Sequence, residues 1–391
     1  MRTDTVSIPC CILRGGTSKG VFFLENSLPA PGPERDRVLL RVFGSPDMRQ
    51  IDGLGGANSL TSKVAIIGVS AREDADVDYT FGQVSFAAPV IDWKGNCGNI
   101  SSAVGLYAVA MNLVKPVEPY TCVRIYNTNT DKMIRAMVPV KHGSPVEEGD
   151  YAIDGVPGTG AKITLNFVSP AGSVTGKLLP TGKAAETVDL GEKGCFTVSM
   201  VDAGNPVVFL KAEELGLKGT ELPLEVEGMP ETLRVIEEIR SVMAERSGIV
   251  KDRGEATAKS PAIPKIGFVS ASQDYLNPDG KLIRAEQTDL TARLCSMQKM
   301  HRAYMVTGGV ATGAAAKIEG SVVWQAVRPE AREKSILNIG HPYGVMDVEV
   351  KTGHGQTEGY DGDYIESVGV GRTARMILEG RAYVPRDLLA E

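Results

Sequence analysis

Short alternating or β-branched apolar runs recur along the first half of the chain. They predict strands at residues 6–13, 21–24, 64–69, 77–86, 123–126, 133–140, 151–153 and 161–167, separated by Gly, Pro and Asn turns. A doubly wound sheet would need a helix after nearly every strand, and those helices are missing, so the spacing points to antiparallel β structure. Residues 35–43 have helical spacing that stops at Gly44-Ser45-Pro46. Residues 100–114 (ISSAVGLYAVAMNLV) are apolar on every side beyond their first turn, apart from Asn112, as a buried helix must be. A short buried helix among strands suggests a sheet rolled around it. The second half repeats these ingredients, with strands at 195–200, 207–210, 266–270 and 345–350, and an amphipathic surface helix at 231–244. Residues 306–318 (VTGGVATGAAAKI) form a second small-residue segment suited to the interior. The expected fold is therefore α+β, with two pseudo-equivalent domains at residues 1–188 and 189–391. Residues 178–185 and 191–194 read as the linker, and the last strand is free to pack back on the first domain.

Composition adds limits. The chain has 391 residues, 42% hydrophobic and 23% charged, which suits a globular protein of two cores. Its 44 Gly and 22 Pro, with only 6% aromatics, favour turns and short strands over a helical bundle. Forty-two basic against 48 acidic residues give −6 with the signs interspersed, so no nucleic-acid footprint is visible. No run is apolar enough to span a membrane, and the first 16 residues carry Arg2, Asp4 and Arg14 in place of a secretory core. A cytoplasmic enzyme without membrane partners is expected. Six cysteines are too sparse for a disulfide scaffold. His142, His301, His341 and His354 lack metal-ligand spacing, so no metal or other cofactor is predicted.

The candidate chemistry lies in three Gly-rich segments. Gly15-Gly16-Thr17-Ser18-Lys19-Gly20 fails the P-loop test, because Val21-Phe22 follows the second Gly block. It reads either as an ordinary hairpin turn or as a turn whose N–H groups, hydroxyls and lysine hold a carboxylate or phosphate. Thr-Ser-Lys recurs at Thr61-Ser62-Lys63, where the following apolar run would draw Lys63 into a half-buried setting and lower its pKa. A lysine snorkelling from a strand end is the plainer reading. Asn96-Cys97-Gly98-Asn99 precedes the buried helix, where a helix N-terminus would favour a thiolate; alternatively Cys97 is a small buried residue and Asn99 the N-cap. The other cysteines (Cys10, Cys11, Cys122, Cys195, Cys295) read as core. The segments at Asn205 and His341 read as turns, with Lys299 and His301 near a helix end.

Taken together, residues 14–20, 52–63 (DGLGGANSLTSK) and 95–102 (GNCGNISS) resemble the PrpF family. The likeness runs on through 77–83 (VDYTFGQ), 179–182, 340–344 (GHPYG) and 372–385. The resemblance implies two diaminopimelate epimerase-like β-rolls, each around a central helix, with the active site in the cleft between them. It also implies a cofactor-independent isomerase that shifts a C=C bond in a small unsaturated di- or tricarboxylate, of the methylitaconate, methylaconitate, aconitate or oxalomesaconate type. By that resemblance Lys63 and Cys97 are the acid/base pair. Substrate binding falls to Thr17, Ser18, Lys19, Asn58, Ser59, Asn96, Gly98, Asn99, Asn205, Ser296 and His341. A homodimer or higher homo-oligomer is compatible with it, and methylitaconate is slightly favoured. An amino-acid racemase or epimerase, and a non-catalytic carboxylate-binding partner of an aconitase-like hydratase, are the alternatives.

Overall fold

The computed structural model describes residues 4–353, 362 and 364–389; His354 lies outside them. The chain forms two compact units. The first comprises Met1–Ala152, Gly158–Leu165 and Arg372–Glu391, the second Ile153–Pro157 and Asn166–Gly371. This division differs from the expected boundary at 188/189. The supposed linker belongs to the second unit: Leu178 and Leu179 are buried there, Leu178 O accepts from Asp202 N, and residues 191–194 only turn one strand into the next.

In the first unit, β1 (Thr5–Gly15) and β2 (Ser18–Leu24) form an antiparallel hairpin. Helix α1 (Pro33–Phe43) starts at a proline and ends at Gly44, whose left-handed φ of 69° closes the last turn. β3 (Lys63–Val69) runs parallel to β2 and antiparallel to β4 (Val77–Val84). Helix α2 (Gly98–Ala110) follows, then the hairpin of β5 (Tyr120–Asn127) and β6 (Lys132–Lys141), with β5 parallel to β4. The C-terminal strand Ala374–Pro385 returns to pair with β1 along its length.

Every residue of α2 from Gly98 to Val109 is buried, and the helix touches β1, β2, β3, β5, β6 and the C-terminal strand. Its large apolar side chains (Ile100, Val104, Leu106, Tyr107, Val109) each gain roughly 1.5–3 kcal/mol by burial. The all-apolar pattern is therefore the cause of the wrapping. Gly105 supplies close approach, since a Cβ there would lie 2.8 Å from Val138. The helix starts two residues earlier than its sequence suggests and stops at Ala110. Cys97, not Asn99, is the N-cap, and Asn112 leaves the helix in a left-handed turn with φ 56°.

The second unit has the same order of pairings. β7 (Cys195–Ala203) and β8 (Asn205–Lys211) are antiparallel, and β8 is parallel to β9 (Lys265–Ser270). β9 is antiparallel to β10 (Leu290–Ser296), which is parallel to β11 (Ile336–His341), itself antiparallel to β12 (Gly344–Gly353). The wholly buried helix α4 (Val306–Ala315) falls between β10 and β11, as α2 falls between β4 and β5. The surface helix α3 (Pro230–Arg246) packs Ile236, Ile239 and Met243 onto the outside.

Four expectations need correction. The sheets are mixed, because each hairpin joins the next through a parallel neighbour. Residues 151–153 form only an isolated bridge, Tyr151 to Gly160. Cys122 and Cys195 are exposed, one on the outer face of β5 and the other at the start of β7. Lys299 and His301 follow a two-residue left-handed turn at Met297-Gln298 after β10, not a helix end.

Candidate functional site

Three segments of the first unit build the site. The β1–β2 turn lies on the N-terminus of α2. A Cβ on Gly15 would stand 2.3 Å from Asn99 O, and one on Gly16, where φ is 50°, 2.1 Å from Asn99 Oδ1. The glycines thus exist to let this turn touch the helix start. The turn's N–H groups are mostly consumed inside the protein: Gly16 N donates to Thr373 O, Thr17 N to Asn99 Oδ1 (3.3 Å) and Lys19 N to Leu60 O. The expected cradle of free N–H groups is absent here. What is left for a ligand is the Thr17 hydroxyl, which is buried with no hydrogen-bond partner, and the half-buried Lys19. Ser18 is buried in β2. Gly15→Ala drives a methyl into a helix carbonyl that cannot swing aside, and should cost about 2–3 kcal/mol. A thermal melt of the variant should fall by roughly 5–10 °C.

The second segment is the loop ahead of β3. Gln50 folds it, accepting from Ala57 N through Oε1 and donating through Nε2 to Ser45 and Ser62. Asn58 is exposed and spends its amide on Gly56 O and Leu60 N, shaping its own turn, with Ser59 half-buried beside it. The loop delivers Lys63 as the first residue of β3, only 7% exposed. Gln83 lies directly opposite on β4, and Lys63 Nζ donates to its Oε1 at 2.7 Å. The ammonium also sits 5.3 Å from the centroid of the Phe81 ring. Burial lowers the Lys63 pKa, opposed by a hydrogen bond and charge interaction with Cys97. Burial is the larger effect, so the balance shifts toward the neutral amine.

The third segment is the start of α2. Cys97 is half-buried at the N-cap and makes no side-chain cap bond, so its side chain leaves the first helical N–H groups uncapped. Ser101 Oγ donates to Asn96 Oδ1 and Cys97 O, and Ser102 Oγ to Asn99 O, which fixes the segment around the thiol. Asn99 Oδ1 also accepts from Arg372 Nε at 3.3 Å. Gly98 is buried within the first turn.

The structure therefore brings Lys63 and Cys97 into contact, with Thr17 and Asn99 bonded to each other alongside. Sequence reasoning missed Gln83 and Phe81. Both lie in the 77–83 segment already noted, and the signal was a period-2 pair facing a lysine across two strands. Tyr79 was missed as well; burial and the nearby Cys97 hold its hydroxyl well above the usual tyrosine range, so it stays protonated.

The remaining candidates belong to the second unit. Asn205 Nδ2 donates to Thr307 Oγ1 in the first turn of α4, and Ser296 ends β10 opposite the exposed Lys299. His341 is buried at the end of β11, where Nδ1 accepts from Tyr343 N and the ring stacks on Tyr304. Lys265, buried at the start of β9, holds the place in this unit that Lys63 holds in the first. Met305 stands at the N-cap of α4, where Cys97 stands on α2.

Comparison with known proteins shows the family. Residues 5–385 match the family described as PrpF protein. The chain is 46% identical to the 3-methylitaconate isomerase of Eubacterium barkeri, over 99% of this chain and 100% of that one. It is 40% identical to the 2-methyl-aconitate isomerase of Cupriavidus necator, over 98% of each. A crystal structure of methylitaconate-delta-isomerase superposes with a TM-score of 0.79 at 45% identity, covering 100% of this chain and 98% of that one. A hydroxyproline epimerase, at 13% identity and TM-score 0.54 over 98% and 94% of the two chains, shares the fold.

Proposed function

The chain belongs to the PrpF family and is an isomerase, and from that premise we propose that Lys63 and Cys97 move a C=C bond by a 1,3-proton transfer in a small unsaturated polycarboxylate. The observation that carries this reading is the buried Lys63, held by Gln83 at the start of β3 and acted on by the Cys97 thiol at the N-cap of α2. Neutral Lys63 takes a proton from the allylic carbon, breaking C–H. The electron pair moves into the new double bond, and the far terminus of the resulting dienolate takes a proton from the Cys97 thiol. The ammonium then returns a proton to the thiolate across their hydrogen bond, which resets the pair. Groups this close serve one face of the substrate. A racemase needs titratable groups on opposite faces, and the counterpart of Cys97 on α4 is a methionine.

The dienolate and one carboxylate are served by the uncapped N–H groups of α2, and a second carboxylate by the Thr17 hydroxyl with Lys19. Two such places suit a branched diacid such as methylitaconate ahead of a tricarboxylate. For Ser18, Asn58, Ser59, Asn205, Ser296 and His341 the proposal of substrate contact rests on the family resemblance alone. Six free cysteines fit a reducing cytoplasm. Among the described residues no helix is long and apolar enough to cross a membrane.

The test is proton NMR in deuterated water with methylitaconate, 2-methylaconitate, aconitate and 4-oxalomesaconate. The expected result is double-bond migration, fastest with methylitaconate, with deuterium entering at the far carbon of the original double bond. Exchange at an sp³ carbon without migration would replace this reading by a racemase. Turnover of none of the four would leave a binding protein.

A further inference from the structure

Strand β4 has a gap on one edge, and a side chain fills it. Its parallel pairing with β5 ends at Tyr79–Asn127, and its antiparallel pairing with residues 91–92 begins only at Gln83. Phe81 lies between, with both backbone groups on that edge. Asn129 supplies the missing rung: its Oδ1 accepts from Phe81 N at 2.7 Å, and its Nδ2 donates to Phe81 O at 2.8 Å. The second Nδ2 hydrogen goes to Trp93 O at 2.6 Å, and Asn127 Nδ2 donates to Oδ1 at 3.1 Å. The carboxamide thus uses both donors and both acceptor directions.

Each bond leads to the reacting pair. Phe81 and Gln83 present the ring and the amide that hold the Lys63 ammonium, and Trp93 opens the short segment that ends at Cys97. We propose that Asn129 is the positioning residue that sets Lys63 against Cys97, by tying the strand under the lysine to the segment that carries the thiol. Its hydrogen bonds go to Phe81, Trp93 and Asn127, not to Lys63 or Cys97. The inference rests on the acid/base reading above.

The experiment compares Asn129→Ala, Asn129→Asp and the control Thr128→Val, next to Asn129, whose hydroxyl pairs with Thr80 Oγ1 and reaches Tyr79 O but does not bond to Phe81. Two readouts are taken: steady-state kinetics against pH, and competitive acetylation of Lys63 against pH, read by mass spectrometry without turnover. Asn129→Ala should lower kcat about 10²-fold, the cost of a misplacement near 1 Å, with KM within about threefold. The acetylation midpoint of Lys63 should move up toward that of an ordinary lysine as water reaches it. Asn129→Asp keeps the acceptor but loses both donors, so it should show the same two changes even if the alanine variant folds poorly. The control should match the wild type.

Wild-type kcat and an unmoved acetylation midpoint in both variants would overturn the proposal, as would equal changes in Thr128→Val. A shifted midpoint in a protein whose Lys63→Ala variant still turns over would keep the brace and discard the acid/base reading.

Discussion

Lys63→Ala should abolish double-bond migration, lowering kcat by about 10²–10⁴-fold, the range supplied by a positioned general base. The size follows from the site: the buried Lys63 is the amine that interacts with Cys97, and the Thr17 hydroxyl is too weak a base to substitute. Lys63→Arg separates charge from basicity, since a guanidinium cannot release its proton near neutral pH; it should be as inactive as the alanine variant. The wild-type pH profile carries the same logic. Only the neutral amine accepts a proton, so kcat/KM should fall as pH drops through the Lys63 pKa. Burial lowers that pKa, so this limb should lie below the ordinary lysine value of about 10.4. A limb at the ordinary value, or a Lys63→Ala enzyme keeping more than a tenth of its turnover, would remove Lys63 as the base.

Much of this arrangement was legible because it rests on strong local signals. An all-apolar, Gly/Ala-rich run flanked by strands can only be stabilised inside, and both α2 and α4 are. Two Gly-rich segments ending in Thr-Ser-Lys marked the turn and the loop that meet at Lys19 N and Leu60 O. What sequence hid was burial of polar groups. β10 escaped notice because Arg293 interrupts its apolar pattern. The structure buries that guanidinium completely by giving it the carbonyls of Glu221, Thr220 and Ala292, with the Tyr275 ring beside it. Asn129 escaped for a related reason: it acts through its amide as a strand would act through its backbone, and no periodicity records that. The domain boundary was misplaced because Gly and Pro mark turns wherever they fall, inside units as well as between them.

The internal repeat, invisible as sequence identity, is plain in the pairings. Each unit alternates antiparallel and parallel neighbours in the same order, buries its helix at the same point, and begins its third strand with a buried lysine, Lys63 or Lys265. Close turns onto the helix recur too, since a Cβ on Gly204 would meet Val310 of α4 at 3.2 Å. The difference lies at the helix N-caps, cysteine in one unit and methionine in the other. The strand-start lysine of the first unit is thus matched with a cysteine N-cap, and that of the second with a methionine N-cap.

That asymmetry makes Cys97 the second decisive position. Cys97→Ala removes the acid that finishes the reaction and should lower kcat about 10²–10³-fold. Cys97→Ser is the sharper test, because it separates the two roles of an N-cap. Serine is a better cap than cysteine: its oxygen can accept from the second or third N–H of α2, contributing about 1 kcal/mol. Its melting temperature should therefore equal or exceed that of the wild type. Its hydroxyl is a far weaker acid than a thiol, so kcat should still fall at least about 10²-fold. The same oxygen competes for the N–H groups proposed to hold the dienolate, which adds to the loss. A stable Cys97→Ser protein with near-wild-type turnover would mean that solvent, not this thiol, returns the proton. Lys63 would then work alone.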